Sequence, residues 1–171
     1  MKRILLLFIA FAFIHCGLRA QFTSVQVRVD GLTCSACSYA TQKSLYELDF
    51  IDSVKMDLNT NLATITFKES KKVDIDQIAQ KVTDAGFSVG QLTAVHTFNG
   101  LTAGNNACFD YLGDKYGFTN TNDTVLNGPA TLLFIGKKFM SKAQLKKWKG
   151  VQSNCKTDKS FTGKTYIVTI Q

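Results

Sequence analysis

The sequence predicts an α+β protein: a β-α-β-β-α-β sandwich over residues 22–93, then a second small α+β domain over 94–171. Three observations carry this reading. Val25, Val27 and Val29 alternate, as do Ala63, Ile65 and Phe67, which is the period of half-buried strands. Ile75, Ile78, Ala79 and Val82 recur at i, i+3, i+4 and i+7 behind Asp74, the period of a capped amphipathic helix. Charge divides the chain at the same place: residues 22–93 carry seven Lys/Arg against nine Asp/Glu, and residues 94–171 carry ten against four.

Taken in order, Thr23 to Val29 reads as the first strand and Ser35 to Leu48 as a helix with Leu45 and Leu48 inward. Ile51 to Leu58 alternates through Val54, Met56 and Leu58. Asn59-Thr60-Asn61 is a turn, and Leu62 to Phe67 returns as the third strand. Asp74 caps the second helix, Gly86 ends it, and Phe87 to Leu92 supplies the fourth strand. This order is the ferredoxin-like βαββαβ sandwich, with two helices on one sheet face.

Residues 1–20 have the form of an export signal. Lys2 and Arg3 precede an uncharged apolar run from Ile4 to Ile14, too short for a comfortable membrane span. Cleavage after Ala20 would leave Gln21 first, although Leu18 is larger than the residue usually found two places earlier. A lipoprotein signal ending at Cys16, which would bring membrane contact, and an uncleaved anchor are the competing readings. The expected location is therefore periplasmic or secreted. Without Cys16, four cysteines remain: Cys34, Cys37, Cys108 and Cys155.

The chemistry concentrates in Gly31-Leu32-Thr33-Cys34-Ser35-Ala36-Cys37, between the first strand and the first helix. Thiolates select Cu(I), Hg(II), Cd(II) or Zn(II) over hard cations. A helix start favours thiolate over thiol through its free N–H groups and its dipole. Residues 22–93 resemble the heavy-metal-associated domain, whose signature is an apolar residue and Thr-Cys-x-x-Cys after the first strand. The resemblance implies a metal site at Cys34 and Cys37, transfer of the ion by ligand exchange with a donor or acceptor protein, and Phe87 in the loop nearest the site. Leu32 stands where the family usually has Met, a near-isosteric swap under the loop.

Two thiolates suit near-linear Cu(I) or Hg(II), whereas Zn(II) prefers four ligands. Cu(I) is the expected ion, with Hg(II), Zn(II) and Cd(II) as alternatives. Two other readings of the pair stay open: a thioredoxin-like redox couple, which lacks the usual aromatic and Pro around its cysteines, and a structural disulfide. Met56 reads as core, Asp30 as an exposed strand end, and Phe87 either as a shield over the sulfurs or as an ordinary core residue.

The second half carries no family resemblance. Ala94 to Phe98 reads as a strand and Ala103 to Tyr116 as an amphipathic helix presenting Cys108, Tyr111, Leu112 and Tyr116. Gly117 to Gly128 reads as a loop, Ala130 to Ile135 as a buried strand, Ser141 as the cap of a helix through Lys149, and Tyr166 to Ile170 as a last strand. Cys108 and Cys155 are a disulfide pair, or else part of a second metal site with His96 or Met140. Lys137, Lys138, Lys142, Lys146, Lys147 and Lys149 form either a solvated face or a dock for an acidic partner, the acidic first half included, or for anionic lipid.

No nucleic-acid motif, catalytic triad, phosphate loop or carboxylate pair stands out, so neither nucleic-acid binding nor an enzyme is expected. The expected function is exported soft-metal binding for transfer or sequestration. A periplasmic thiol-disulfide oxidoreductase is the rival reading, and metal-dependent partner sensing a third.

Overall fold

A computed structural model describes residues 21–152, 155–156 and 160–171. The expected leader, with Cys16, lies outside the described residues. The first six elements are β1 (Phe22–Asp30), α1 (Ser35–Tyr46), β2 (Ile51–Asp57), β3 (Leu62–Phe67), α2 (Ile75–Asp84) and β4 (Ser88–Ala103). They form the ferredoxin-like sandwich. Asp74 caps α2, its carboxylate accepting the N–H groups of Asp76 and Gln77, and the apolar stripe of α2 is buried.

The second half adds β5 (Cys108–Tyr111), β6 (Asp114–Phe118), β7 (Thr124–Ile135), the short helix α3 (Lys142–Leu145), a 3₁₀ turn (Lys146–Trp148) and β8 (Thr165–Ile170). All eight strands belong to one sheet, in the order β2-β3-β1-β4-β7-β8-β6-β5. Strand β4 runs through residues 93 and 94 without a break. It pairs antiparallel with β1 from Ser88 to His96 and with β7 from Thr93 to Ala103. One apolar core correspondingly extends from Val25 and Leu45 in the first half to Tyr116 and Val168 in the second.

The expected helix from Ala103 to Tyr116 is instead the β5–β6 hairpin, with Tyr111 opposite Asp114. Leu112 and Gly113 form its two-residue turn, both at positive φ (48° and 90°), the conformation that matches hairpin twist. Phe109, Tyr111, Tyr116 and Phe118 belong on a pleated, half-buried surface, and that preference outweighs the helical spacing. The expected loop from Gly117 to Gly128 is likewise mostly strand: β6 runs to Phe118 and β7 begins at Thr124. Pro129 in β7 lies opposite Thr97, whose N–H turns away to the Gln21 carbonyl, and β8 joins only at Leu132, so the missing N–H of Pro129 breaks no ladder. The helix behind Ser141 is shorter than expected and tightens to 3₁₀ after Leu145.

Cys108 and Cys155 form a disulfide. This removes both thiols from the alternative second metal site. The two other residues considered for that site are also buried, Met140 against Leu133 and Ile135, and His96 within an aromatic cluster. The His96 ring centroid lies 4.8 Å from Phe22, 4.5 Å from Phe98 and 4.8 Å from Phe109. Neither ring nitrogen has a hydrogen-bond partner, and desolvation holds its pKa at about 4.

Two stability predictions follow from this packing. The unfolded histidine binds its proton near the ordinary value of about 6.5, above the folded one. Stability should therefore be full above that pH and fall by about 3 kcal/mol as the pH drops through 6.5 to 4. Tyr111 beside it is pushed upward by burial and stays neutral there. In urea melts, His96→Leu should flatten this acid dependence, and an unaltered slope would contradict the assignment. Cys108→Ser/Cys155→Ser opens a loop spanning 47 residues. It should lower unfolding stability by about 4 kcal/mol in the chain-entropy model, read from the same melts.

Candidate metal centre

The loop that carries Cys34 leaves the sheet where β1 ends. Gly31 turns the chain at φ 97°, a conformation glycine adopts without strain. Leu32 then drops into the core beneath the loop, 6% exposed. This pins the segment from below and leaves Thr33 and Cys34 at the surface.

Cys34 is the N-cap of α1. Its backbone is extended, its carbonyl accepts the Ser38 N–H at 3.2 Å, and its Sγ accepts the Cys37 N–H at 3.3 Å. A thiol thus takes the place usually held by a Ser, Thr or Asp oxygen. Cys37, one turn later, is half-buried and packs against the core, and Thr41 Oγ1 donates to its carbonyl at 3.1 Å.

Both cysteines are free, and their sulfurs lie 2.6 Å apart. The side chain of Cys34 holds the Cys37 thiol below its ordinary pKa, with the Thr33 backbone adding to the effect. A metal held between the sulfurs requires them to part. With bonds of about 2.3 Å, as for zinc–thiolate, a linear pair spans about 4.6 Å. The loop supplies that movement most readily through Cys34, which is exposed, while Cys37 is held by the helix.

Phe87 lies in the turn between α2 and β4, half-buried, with Cδ1 3.6 Å from where a Cβ on Gly31 would stand. It therefore packs against the root of the loop that carries Cys34. Asp30 is half-exposed and faces Arg28 at 3.6 Å. Met56 packs against the core from β2. Among the described residues, no cluster of three or more His, Cys, Asp or Glu side chains is placed to hold a metal.

The depressed Cys37 thiol gives a spectroscopic expectation. Ultraviolet thiolate absorbance of the reduced protein should rise at lower pH than for an ordinary cysteine, and Cys34→Ser should move that rise upward. A transition at the ordinary position in both proteins would show that Cys34 does not stabilise the Cys37 thiolate.

The sequence pattern of the heavy-metal-associated domain matches residues 26–88. The mercuric transport protein periplasmic component of Pseudomonas aeruginosa is 28% identical over 79 residues, covering 46% of this chain and 86% of that protein. The copper chaperone CopZ of Bacillus subtilis (strain 168) is 29% identical over 65 residues, covering 38% and 93%. Among solved structures, the yeast copper transporter domain Ccc2a, determined in apo and Cu(I)-loaded states, is 30% identical. That match covers 39% of this chain and 90% of the other, with a TM-score of 0.36. Residues 26–88 of the chain are a heavy-metal-associated domain.

Proposed function

We propose that the protein is a soft-metal carrier that binds Cu(I) between Cys34 and Cys37 and exchanges it with another protein. The observation that carries this reading is a pair of free cysteines one helical turn apart at the start of α1, in a heavy-metal-associated domain. Two thiolates satisfy an ion that tolerates low coordination, and they leave it open to a third, incoming thiolate. Cys34 is the more exposed of the two, which makes it the ligand to be displaced first. Relatives named as copper chaperones and as mercuric transport proteins support a soft ion, with Hg(II) as the alternative cargo and Zn(II) or Cd(II) behind it.

The Cys108–Cys155 disulfide and the leader-like residues 1–20 support a place outside the cytoplasm, in a periplasm or beyond the cell. In that setting bound metal or a reducing partner must protect the pair from oxidation. The short separation of the two sulfurs favours a second reading, thiol–disulfide exchange at the same pair. No part of that reading requires a metal.

Anaerobic titration of the reduced protein with Cu(I) against a chromogenic chelator separates the two. The expected result is tight one-to-one binding that Cys34→Ser/Cys37→Ser abolishes, with Hg(II) titrated in parallel. Affinity no greater than that of the double variant for either ion would discard the carrier reading. A disulfide reductase rate in the same protein would then favour the second.

A further inference from the structure

Three strand ends meet at the end of the sheet that carries the metal loop. Asp30 closes β1 opposite Ser88 at the start of β4, and β7 finishes at Ile135 beside them. The chain beyond β7 folds back onto β4: Met140 bridges to Gln91, and the Ser141 N–H donates to the Gly90 carbonyl at 2.9 Å. This return sets Lys137, Lys138 and Lys142 across from α2 and Phe87. Between them runs a groove of about 740 Å³ with Ala79, Phe87, Val89 and Met140 along its apolar floor.

The charge around the groove is unbalanced. Lys138 reaches Asp76 at 3.4 Å, and Asp30 faces Arg28. Lys137 and Lys142 are exposed and form no ion pair among the described residues. The groove thus offers two uncommitted ammonium groups above an apolar floor, and Phe87 connects that floor to the root of the metal loop.

We propose that this groove docks the protein that exchanges metal with Cys34 and Cys37, by taking a segment in which an apolar side chain is flanked by carboxylates. The inference rests on the carrier reading for its purpose, though not for its binding chemistry. The apolar side chain lies on Phe87 and Met140, and the carboxylates meet Lys137 and Lys142. Complementary charge of this kind raises the encounter rate and selects the partner. A concave floor suits a protruding peptide segment better than a flat lipid surface. The second half therefore determines which partner reaches the metal site.

A fluorescent peptide of alternating Glu and Leu, titrated by anisotropy into the metal-free protein, tests the proposal. Lys137→Glu/Lys142→Glu should weaken binding about tenfold, and the neutral pair Lys137→Gln/Lys142→Gln should do so to a smaller degree. Lys146→Glu/Lys147→Glu, with the same change of charge outside the groove, should leave binding unaltered. Added salt should weaken it, and Cys34→Ser/Cys37→Ser should not. Persistence in the cysteine variant keeps this test separate from the metal titration, so either reading can fail alone. Equal loss in both Glu variants, no binding at millimolar peptide, or retention only on phosphatidylglycerol vesicles would overturn the proposal.

Discussion

The sixteen-residue strand β4 is the constraint on which the rest of the molecule depends. Its first half completes the sandwich by pairing with β1, and from Thr93 onward it also carries β7. Backbone hydrogen bonds on both sides fix its position and direction. Its start is therefore held next to the end of β1, where the loop to Cys34 begins, and next to the end of β7, where the basic segment begins. Leu92, Ala94 and Phe98 on one face tie the two cores into one.

A second set of contacts joins the halves through charge. Lys164 meets Asp74 at 2.8 Å and Asp76 at 3.2 Å, and Lys72 meets Asp114 at 3.4 Å. Partial burial acts to raise the Asp74 carboxyl, but Lys164 and Gln77 outweigh it and hold it low. Asp74 is also the cap of α2, so one carboxylate both starts the helix and anchors it to the second half. Partly exposed pairs of this type contribute modestly to stability. Their main effect is geometric, setting the start of α2 against β6 and the segment that leads into β8.

Legibility in the sequence follows the range of the interactions. The first sandwich was readable because each element carries its own signal, such as Asp74 ahead of the i, i+3, i+4, i+7 stripe, or the alternation of Ala63, Ile65 and Phe67. The candidate cysteines were readable as a pair for the same reason: Cys34 and Cys37 lie three residues apart at the start of one helix. The β5–β6 hairpin was not, since Cys108, Tyr111, Leu112 and Tyr116 also fit a helical face, and only pairing across Leu112-Gly113 decides between the two. Gly113 was the available clue. Likewise, nothing local distinguishes a strand that stops at Leu92 from one that runs to Ala103. The groove beside Phe87 had no signature either, because its two walls lie some fifty residues apart in the chain.

The shared strand also bears on how the molecule comes apart. In a free-standing sandwich of this order β4 would be an edge, whereas here β2 and β5 are the edges of the sheet. If the second half melted first, β4 would expose a row of unpaired amides beside Phe98 and His96, a template for aggregation. Unfolding as one cooperative unit avoids that intermediate, and a main core that runs through both halves favours it. Amide exchange along β1, β4 and β7 would then report one common opening event, and loss of the C-terminal strand β8 would endanger the solubility of a cysteine loop at the far end of the chain.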